Sequence, residues 1–494
     1  MQSQDSQMLL ALDLGTTNVK ALVVDVATLS VISAGSAAAK ISFPKPGCVE
    51  QDGEQIWEAT ATAIRMALSS IDSSKIVGIT VSNQRESAIV WDRGTGKPVG
   101  PILGWQDTRT APLCDSIRER GLSGLVRKRT GLQLDAMFSA PKLRALLQLA
   151  VADGHAVSSL VGGTLDSWII YKLTGEFLTE VGNASRTLLF DIYDLEFETE
   201  LLDIFGIPRS MLAEVRYSDA GFGETIDSSL LHGVLPSGIP ILAVLADSHS
   251  ALYLHSGGRL GEGKVTFGTG SSVMVPMDAS TKNVDGIATT IAWGEHGQTV
   301  FGREGNILAT GAALAWMSKI LTDGDVVELG RLAEESAGQS EVQFVPAFTG
   351  LAAPYFDRGA VGLIQGLTSG ISRADIAHAA MESVCQQVMD VLEAMEADDL
   401  VNLETLHADG GASKSVLLMQ ILADFLDREV KVAQVAEASA MGAALMGARK
   451  LGYSPLAGAL NPDVVTPQKS AEWRETRRTI WRDAVARSRF ETNV

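Results

Sequence analysis

What most constrains this chain of 494 residues is a short pattern that occurs twice, roughly 250 residues apart. Leu12-Asp13-Leu14-Gly15-Thr16-Thr17 near the start and Thr266-Phe267-Gly268-Thr269-Gly270-Ser271 past the middle each follow or continue an apolar, β-prone run. Each leads into another such run, residues 21–25 and 273–276. Both places read as strand, tight Gly/Thr turn, strand. Glycine lets backbone N–H groups approach an anion, threonine hydroxyls add donors, and such a turn forms a small nest for phosphate oxygens. One Gly-Thr pair alone is more often an ordinary hairpin turn. Two of them, one led by a carboxylate, suggest a clamp on the phosphates of a nucleotide. Asp13 leaves its strand where a Mg2+ ion, directly or through its waters, would be held, and Lys20 is within reach of the same phosphates.

A chain of this length exceeds what one hydrophobic core serves, so two or more domains of roughly 200 to 250 residues are expected. The hydrophobic content of 46% fills both. A formal charge of -19 argues against nucleic acid as a partner, because that binding depends on clustered Lys and Arg. Cys48, Cys114 and Cys385 are scattered without C-x-x-C spacing, which indicates neither a disulfide framework nor a zinc site and fits a reducing compartment. The first residues carry no basic segment of a signal peptide. The most apolar later stretch, residues 238–254, is broken by Asp247 and His249, short of the roughly 20 apolar residues of a membrane span. A cytoplasmic protein with no membrane partner is the expectation.

Strand-like runs at residues 9–13, 75–81 and 239–245 alternate with segments of helical period, the signature of an α/β protein. Asp52 is placed to cap a helix striped by Trp57, Ala61, Ile64 and Leu68, with Gln55 at the capping-box position. Further helices are expected over residues 373–395, 415–426 and 438–450. No low-complexity linker interrupts the chain. The domain boundary is set near residues 250–258, giving domains of residues 1–254 and 255–494. Each half then carries one phosphate-like element, which suggests an internal duplication with ligand held in the cleft between the halves. A third glycine cluster, Asp409-Gly410-Gly411-Ala412, joins a strand to a helix and permits close approach of a flat ring or a phosphate.

This order of parts resembles the actin-like ATPase (ribonuclease H-like) architecture. Other segments narrow the resemblance: Phe43-Pro44-Lys45-Pro46-Gly47, Asn83-Gln84-Arg85-Glu86, Trp105-Gln106-Asp107, Gly182-Asn183-Ala184-Ser185-Arg186-Thr187, residues 345–351, and the stretch from Gly362 to Glu382. They resemble the FGGY family of carbohydrate kinases, closest within it to the glycerol kinases, over almost the whole chain. The resemblance implies two α/β domains with the active site in the interdomain cleft, and transfer of the γ-phosphoryl group of ATP to a primary hydroxyl of a small polyol or sugar. It assigns Asp247 as the catalytic base and Asp13 as the organiser of Mg2+. Thr16, Thr17 and Lys20 fall at the phosphates, with lysine where the family's glycerol kinases usually carry arginine. Thr269, Gly311 and Gly411 match nucleotide-binding positions, while Ala315 and Ser415 replace amide side chains on the adenine side. Arg85 and Glu86 match the hydroxyl-binding pair, and Trp105 the aromatic that packs on the acceptor's carbon chain.

Three pocket positions depart from the glycerol kinases: Met137 replaces Tyr, Ser248 replaces Gln and Ser272 replaces Phe. A phenol, an amide and a ring are gone, which enlarges and repolarises the expected pocket. The acceptor is therefore expected to be glycerol or a related small polyol, alternatively a four- or five-carbon ketose or polyol such as erythrulose, erythritol, xylulose or ribulose. A non-catalytic sugar sensor or an actin-like ATPase would share the phosphate turns but has less use for Asp247 beside Arg85, Glu86 and Trp105. By resemblance the chain is a homodimer or homotetramer.

Overall fold

Leu9, Leu10, Ala11, Leu12 and Leu14 are without exposure, so the strand Met8–Leu14 lies inside a sheet rather than at its edge. The computed structural model describes residues 7–278, 283–398, 400–435, 437–455 and 462–490, and they separate into two units. The first holds residues 7–258, 289–301 and 437–455. Its main sheet has five strands in the order Ile241–Ala246, Ile76–Asn83, Met8–Leu14, Asn18–Asp25, Val31–Ala38. The last three form an antiparallel meander, and the first three are parallel. Register aligns Asp13 with Ser82 and Leu14 with Asn83, while Leu245 and Ala246 align with the same Ser82 and Asn83. Gly15, Gln84 and Asp247 therefore leave the sheet together at the carboxyl ends of the parallel strands, where open α/β sheets place ligands.

The helix Gly53–Leu68 covers one face, capped by the Asp52 carboxylate, which accepts from Gln55 N at 3.1 Å. The helices Asp247–Ser256 and Ala438–Lys450 pack against one another and Ala438–Lys450 lies on the parallel strands. Glycine permits that packing, since a Cβ on Gly442 would stand 1.9 Å from Ser250 O. A smaller sheet joins Glu50–Gln51, Ile102–Leu103, Ala88–Asp92 and Leu160–Thr164.

The second unit repeats the plan. Glu262–Phe267 pairs antiparallel with Ser271–Met277 and parallel with Thr405–Gly410, which pairs parallel with Glu429–Val432. Phe267 is level with Gly410, so the second Gly/Thr turn and the third glycine cluster leave this sheet side by side. The helix Arg373–Glu396 starts in a reciprocal cap between Ser372 and Asp375, and Val416–Leu426 is capped by Ser415. The strands and helices expected from periodicity are all present, with ends shifted by a residue or two.

Gly442→Ala pushes a methyl group into backbone, and overpacking of this kind costs about 1–3 kcal/mol or more. Chemical denaturation is expected to show that loss for Gly442→Ala and none for Gly124→Ala, where a Cβ meets nothing within 4 Å.

Candidate active site

Asp13 is a half-buried carboxylate one residue before the end of an apolar strand. Its Oδ1 accepts from Ser82 Oγ at 2.6 Å, the one side chain level with it on the neighbouring strand. Burial raises its pKa to about 6; the charges of Asp247 and Glu437 push the same way, while Ser82 and Lys20 oppose them. Lys20 pairs with Glu437 at 2.6 Å, so its ammonium is engaged at the head of the helix Ala438–Lys450. Asp247 opens the helix Asp247–Ser256 directly after a fully buried strand. The helix N-terminus favours its negative charge, Ser248 N donates to Oδ1 at 2.6 Å, and Arg85 Nε lies 3.4 Å from the same oxygen. The carboxylate remains 35% exposed.

Arg85 and Glu86 follow the strand Ile76–Asn83 in a turn that places Glu86 at φ 61, a conformation that costs a side-chain-bearing residue about 1–3 kcal/mol unless its surroundings hold it. They do. The Glu86 carboxylate accepts from Arg186 Nε at 2.7 Å, and its carbonyl accepts from Ser139 Oγ at 3.1 Å and Lys142 Nζ at 3.2 Å. The same Lys142 amine donates to Met137 O, binding the Arg85-Glu86 turn to the Met137 segment. Burial lowers the Lys142 pKa to about 8 against the opposing charges of Glu86, Asp107 and Asp135.

Arg186 is delivered by the short helix Val181–Ser185, whose cap is Glu180. Burial pushes Glu180 up to about 7 while Ser218 Oγ and the Gly182 and Asn183 N–H groups donate to it. Asn183 and Asn83 also exchange side-chain hydrogen bonds at 2.9 and 3.2 Å. Trp105, 37% exposed, donates its indole N–H to Thr16 Oγ1 at 3.2 Å, which puts the expected acceptor aromatic against the first phosphate turn. Thr17 beside it is exposed.

In the second unit, Thr269 O accepts from Thr310 N and Ala312 N at 3.1 and 2.9 Å, and Gly268 O from Gly311 N at 3.1 Å. These bonds tie the second turn to the start of the helix Gly311–Leu321, which carries Ala315. A Cβ on Gly311 would come within 2.4 Å of Gly268 O, so glycine is required there. Gly411 N donates to Phe267 O at 2.9 Å, setting the third glycine cluster beside the same turn. Ser272 Oγ donates to Glu304 at 3.1 Å, and the Ser415 hydroxyl accepts from Leu418 N; both serine side chains thus have partners of their own.

Of the residues selected from the sequence, Asp13, Thr16, Lys20, Arg85, Glu86, Trp105, Met137, Asp247 and Ser248 form one linked set in the first unit. Thr269, Ser272, Gly311, Ala315, Gly411 and Ser415 belong to the second. Sequence reasoning gave no role to Ser82, Lys142, Glu180 or Glu437. Ser82, Asn83, Asn183 and Arg186 carried a signal only as members of segments that resemble the family.

A family model for the N-terminal domain of FGGY carbohydrate kinases matches residues 8–253, and one for the C-terminal domain matches residues 263–451. The chain belongs to the FGGY family of carbohydrate kinases. It is 39% identical to an apulose kinase of Pectobacterium atrosepticum, over 98% of each chain. It is 40% identical to a glycerol kinase of Thermus brockianus, over 97% of this chain and 95% of that one. Among solved structures, Plasmodium falciparum glycerol kinase with ADP superposes with a TM-score of 0.90 at 28% identity, over 98% of both chains. The FGGY protein described here is thus an ATP-dependent carbohydrate kinase of mixed α/β, two-domain fold. No helix among its described residues is long and apolar enough to cross a membrane.

Lys142 offers a test of the pocket's construction. Its folded-state pKa of about 8 lies below the ordinary 10.5, so the cost of burying its charge is fully present below pH 8 and is relieved as pH rises toward 10.5. In urea titrations the wild-type protein is expected to gain stability over that window relative to Lys142→Met, by up to about 3 kcal/mol. A constant difference from pH 7.5 to 10.5 contradicts a charged, buried amine at this site.

Proposed function

We propose that this kinase phosphorylates a primary hydroxyl of glycerol or a closely related small polyol, with a four- or five-carbon ketose or polyol as the alternative acceptor. The observation that carries the reading is the setting of Asp247: a partly exposed carboxylate at a helix N-terminus, oriented by Ser248 N–H and Arg85, at the same sheet edge as Asp13 and the Gly15-Thr16 turn. Phosphoryl transfer asks little covalent work of a protein; it needs an aligned nucleophile, a proton acceptor and neutralised charge. Asp247 accepts the proton of the attacking hydroxyl. Arg85 and Glu86 hold the neighbouring hydroxyls, and Trp105 covers the carbon chain. Thr16 and Thr17 in one turn and Thr269 in the other receive phosphate oxygens, with Gly311 and Gly411 leaving room for the nucleotide near Ala315 and Ser415.

Asp13 fits a role at Mg2+, since a buried carboxylate under the fields of Asp247 and Glu437 is stabilised in its ionised form by a nearby cation. The ion, when bound, neutralises charge on the phosphates. Lys20 adds positive charge beside the turn while paired with Glu437. The free thiols of Cys48, Cys114 and Cys385 support a cytoplasmic location.

The acceptor is open between two classes because the chain is equally similar to relatives named for glycerol and for apulose. Met137, Ser248 and Ser272 favour the larger acceptor, since each hydrogen-bond partner missing from a glycerol pocket costs about 1 kcal/mol. A coupled ADP-release assay with MgATP across glycerol, erythritol, erythrulose, xylulose, ribulose and apulose decides between them. Strong turnover of one compound, reduced by roughly 10²–10⁴-fold in Asp247→Ala, is the expected result. Turnover that survives that substitution, or no turnover of any compound, refutes the proposal.

A further inference from the structure

Five residues of the first unit close a ring of hydrogen bonds. Gln51 Nε2 donates to Thr16 O at 3.0 Å, and Gln84 Nε2 donates to Gln51 Oε1 at 2.9 Å. Ser87 Oγ donates to Gln84 Oε1 at 3.1 Å and accepts from Trp105 N at 3.1 Å. Trp105 Nε1 then returns to Thr16 Oγ1 at 3.2 Å. Trp105 donates at both of its contacts and Thr16 accepts at both of its own, and each amide uses its oxygen as acceptor and its nitrogen as donor, which fixes both amide orientations. Gln51, Gln84 and Ser87 are buried, at 3%, 1% and 0% exposure, while Thr16 and Trp105 at the other side are accessible.

Buried polar side chains are retained at a cost unless every group is satisfied, and a satisfied chain in a low-dielectric interior is stiff. This one is anchored at both flanks. Gln84 N donates to Leu14 O at 2.8 Å, holding the strand that ends in the phosphate turn. Arg109 bridges Glu50 at 2.7 Å and Asp107 at 2.8 Å, and Asp107 accepts from Val49 N at 2.7 Å, holding the Trp105 loop to the Gln51 strand. The ring also passes through the residues on either side of Arg85 and Glu86. A displacement of Thr16 cannot be absorbed by a loose loop; it is carried to Trp105 and to the turn that presents Arg85.

We infer that Gln51, Gln84 and Ser87 are positioning residues that couple the phosphate turn to the acceptor pocket, so that nucleotide and acceptor each bind more tightly when the other is present. The inference rests on the functional reading above for the identity of the two sites it joins. Coupling between two ligands is reciprocal and commonly amounts to about fivefold or more in affinity. Removing one link is expected to abolish it without removing any group that touches the reacting atoms.

The experiment is calorimetric titration of the full chain with MgADP, with and without saturating glycerol or, where the panel finds a better acceptor, that compound. In the wild type the acceptor is expected to tighten MgADP by about fivefold or more. In Gln51→Met and Ser87→Ala that tightening is expected to fall to less than about twofold, with thermal melts confirming folding. Ser87→Thr keeps a hydroxyl and is expected to restore it. A role confined to stability would lower the melting temperature and leave the ratio of the two affinities unchanged, which overturns the inference. So does a wild type with no mutual tightening. Failure of the functional reading is seen separately, as absent turnover or an active Asp247→Ala, because MgADP and polyol binding are measured here without turnover.

Discussion

The first unit is organised around a carboxylate at the end of an apolar strand. Asp13 follows four fully buried residues and is itself only partly exposed, so desolvation raises its pKa to about 6. The structure answers with Ser82 at the matching register position and with a lysine that Glu437 holds nearby. Lys20 stands level with Asp13 on the adjacent antiparallel strand, while the Ser82 contact depends on parallel pairing between strands distant in sequence. Slipping that register by one residue would turn Ser82 to the other face of the sheet and leave Asp13 unsatisfied. The same register delivers Asp247 beside it, so the polar centre and the alignment of the sheet are one constraint.

A second layer holds the strained turn at Glu86. Positive φ at a buried glutamate is sustained by three side chains from two segments, Arg186 and, from the helix Ser139–Ala152, Ser139 and Lys142; Arg186 is itself aimed by the helix that Glu180 caps. Pocket residues thus draw their geometry from groups that do not face the pocket. That is the expected arrangement where a first layer of contacts must be placed to a fraction of an ångström.

The plan of the molecule was legible because its signals are local. Apolar strands ending in Gly/Thr turns, the Asp52 and Ser415 caps and the apolar stripe of residues 438–450 specify strands and helices without tertiary information. The acidic and aromatic residues at strand ends were legible as well, since carboxyl ends of parallel strands are where function concentrates. What the sequence hid were pairings across long separations. Nothing near Lys142 announces that its amine will lie between two backbone carbonyls, and Glu437 reads as a helix-capping acid rather than as Lys20's partner. Gln51 carried no signal and Gln84 only membership of a segment that resembles the family; that the two are buried ring members is visible only once the strands pair.

The two Gly/Thr turns share a local pattern but lean on side chains to different degrees. The Gly268 and Thr269 carbonyls accept from the backbone N–H groups of Thr310, Gly311 and Ala312, and Gly268 O also from Thr310 Oγ1 at 3.4 Å, whose hydroxyl meets that of Ser271 at 2.8 Å. Backbone bonds are indifferent to side-chain identity, which leaves Ala315 and Ser272 free to differ from the glycerol kinase pattern without disturbing the turn. In the first turn Gly15 N donates to Asn18 O at 3.1 Å, while Thr16 is held by the Gln51 and Trp105 side chains. Among the residues proposed to line the acceptor pocket in the first unit, Met137 and Ser248 lie outside the Gln51 ring and are the cheaper to vary, while Trp105 belongs to it. A family that changes acceptor while keeping its phosphoryl donor is what such an arrangement permits.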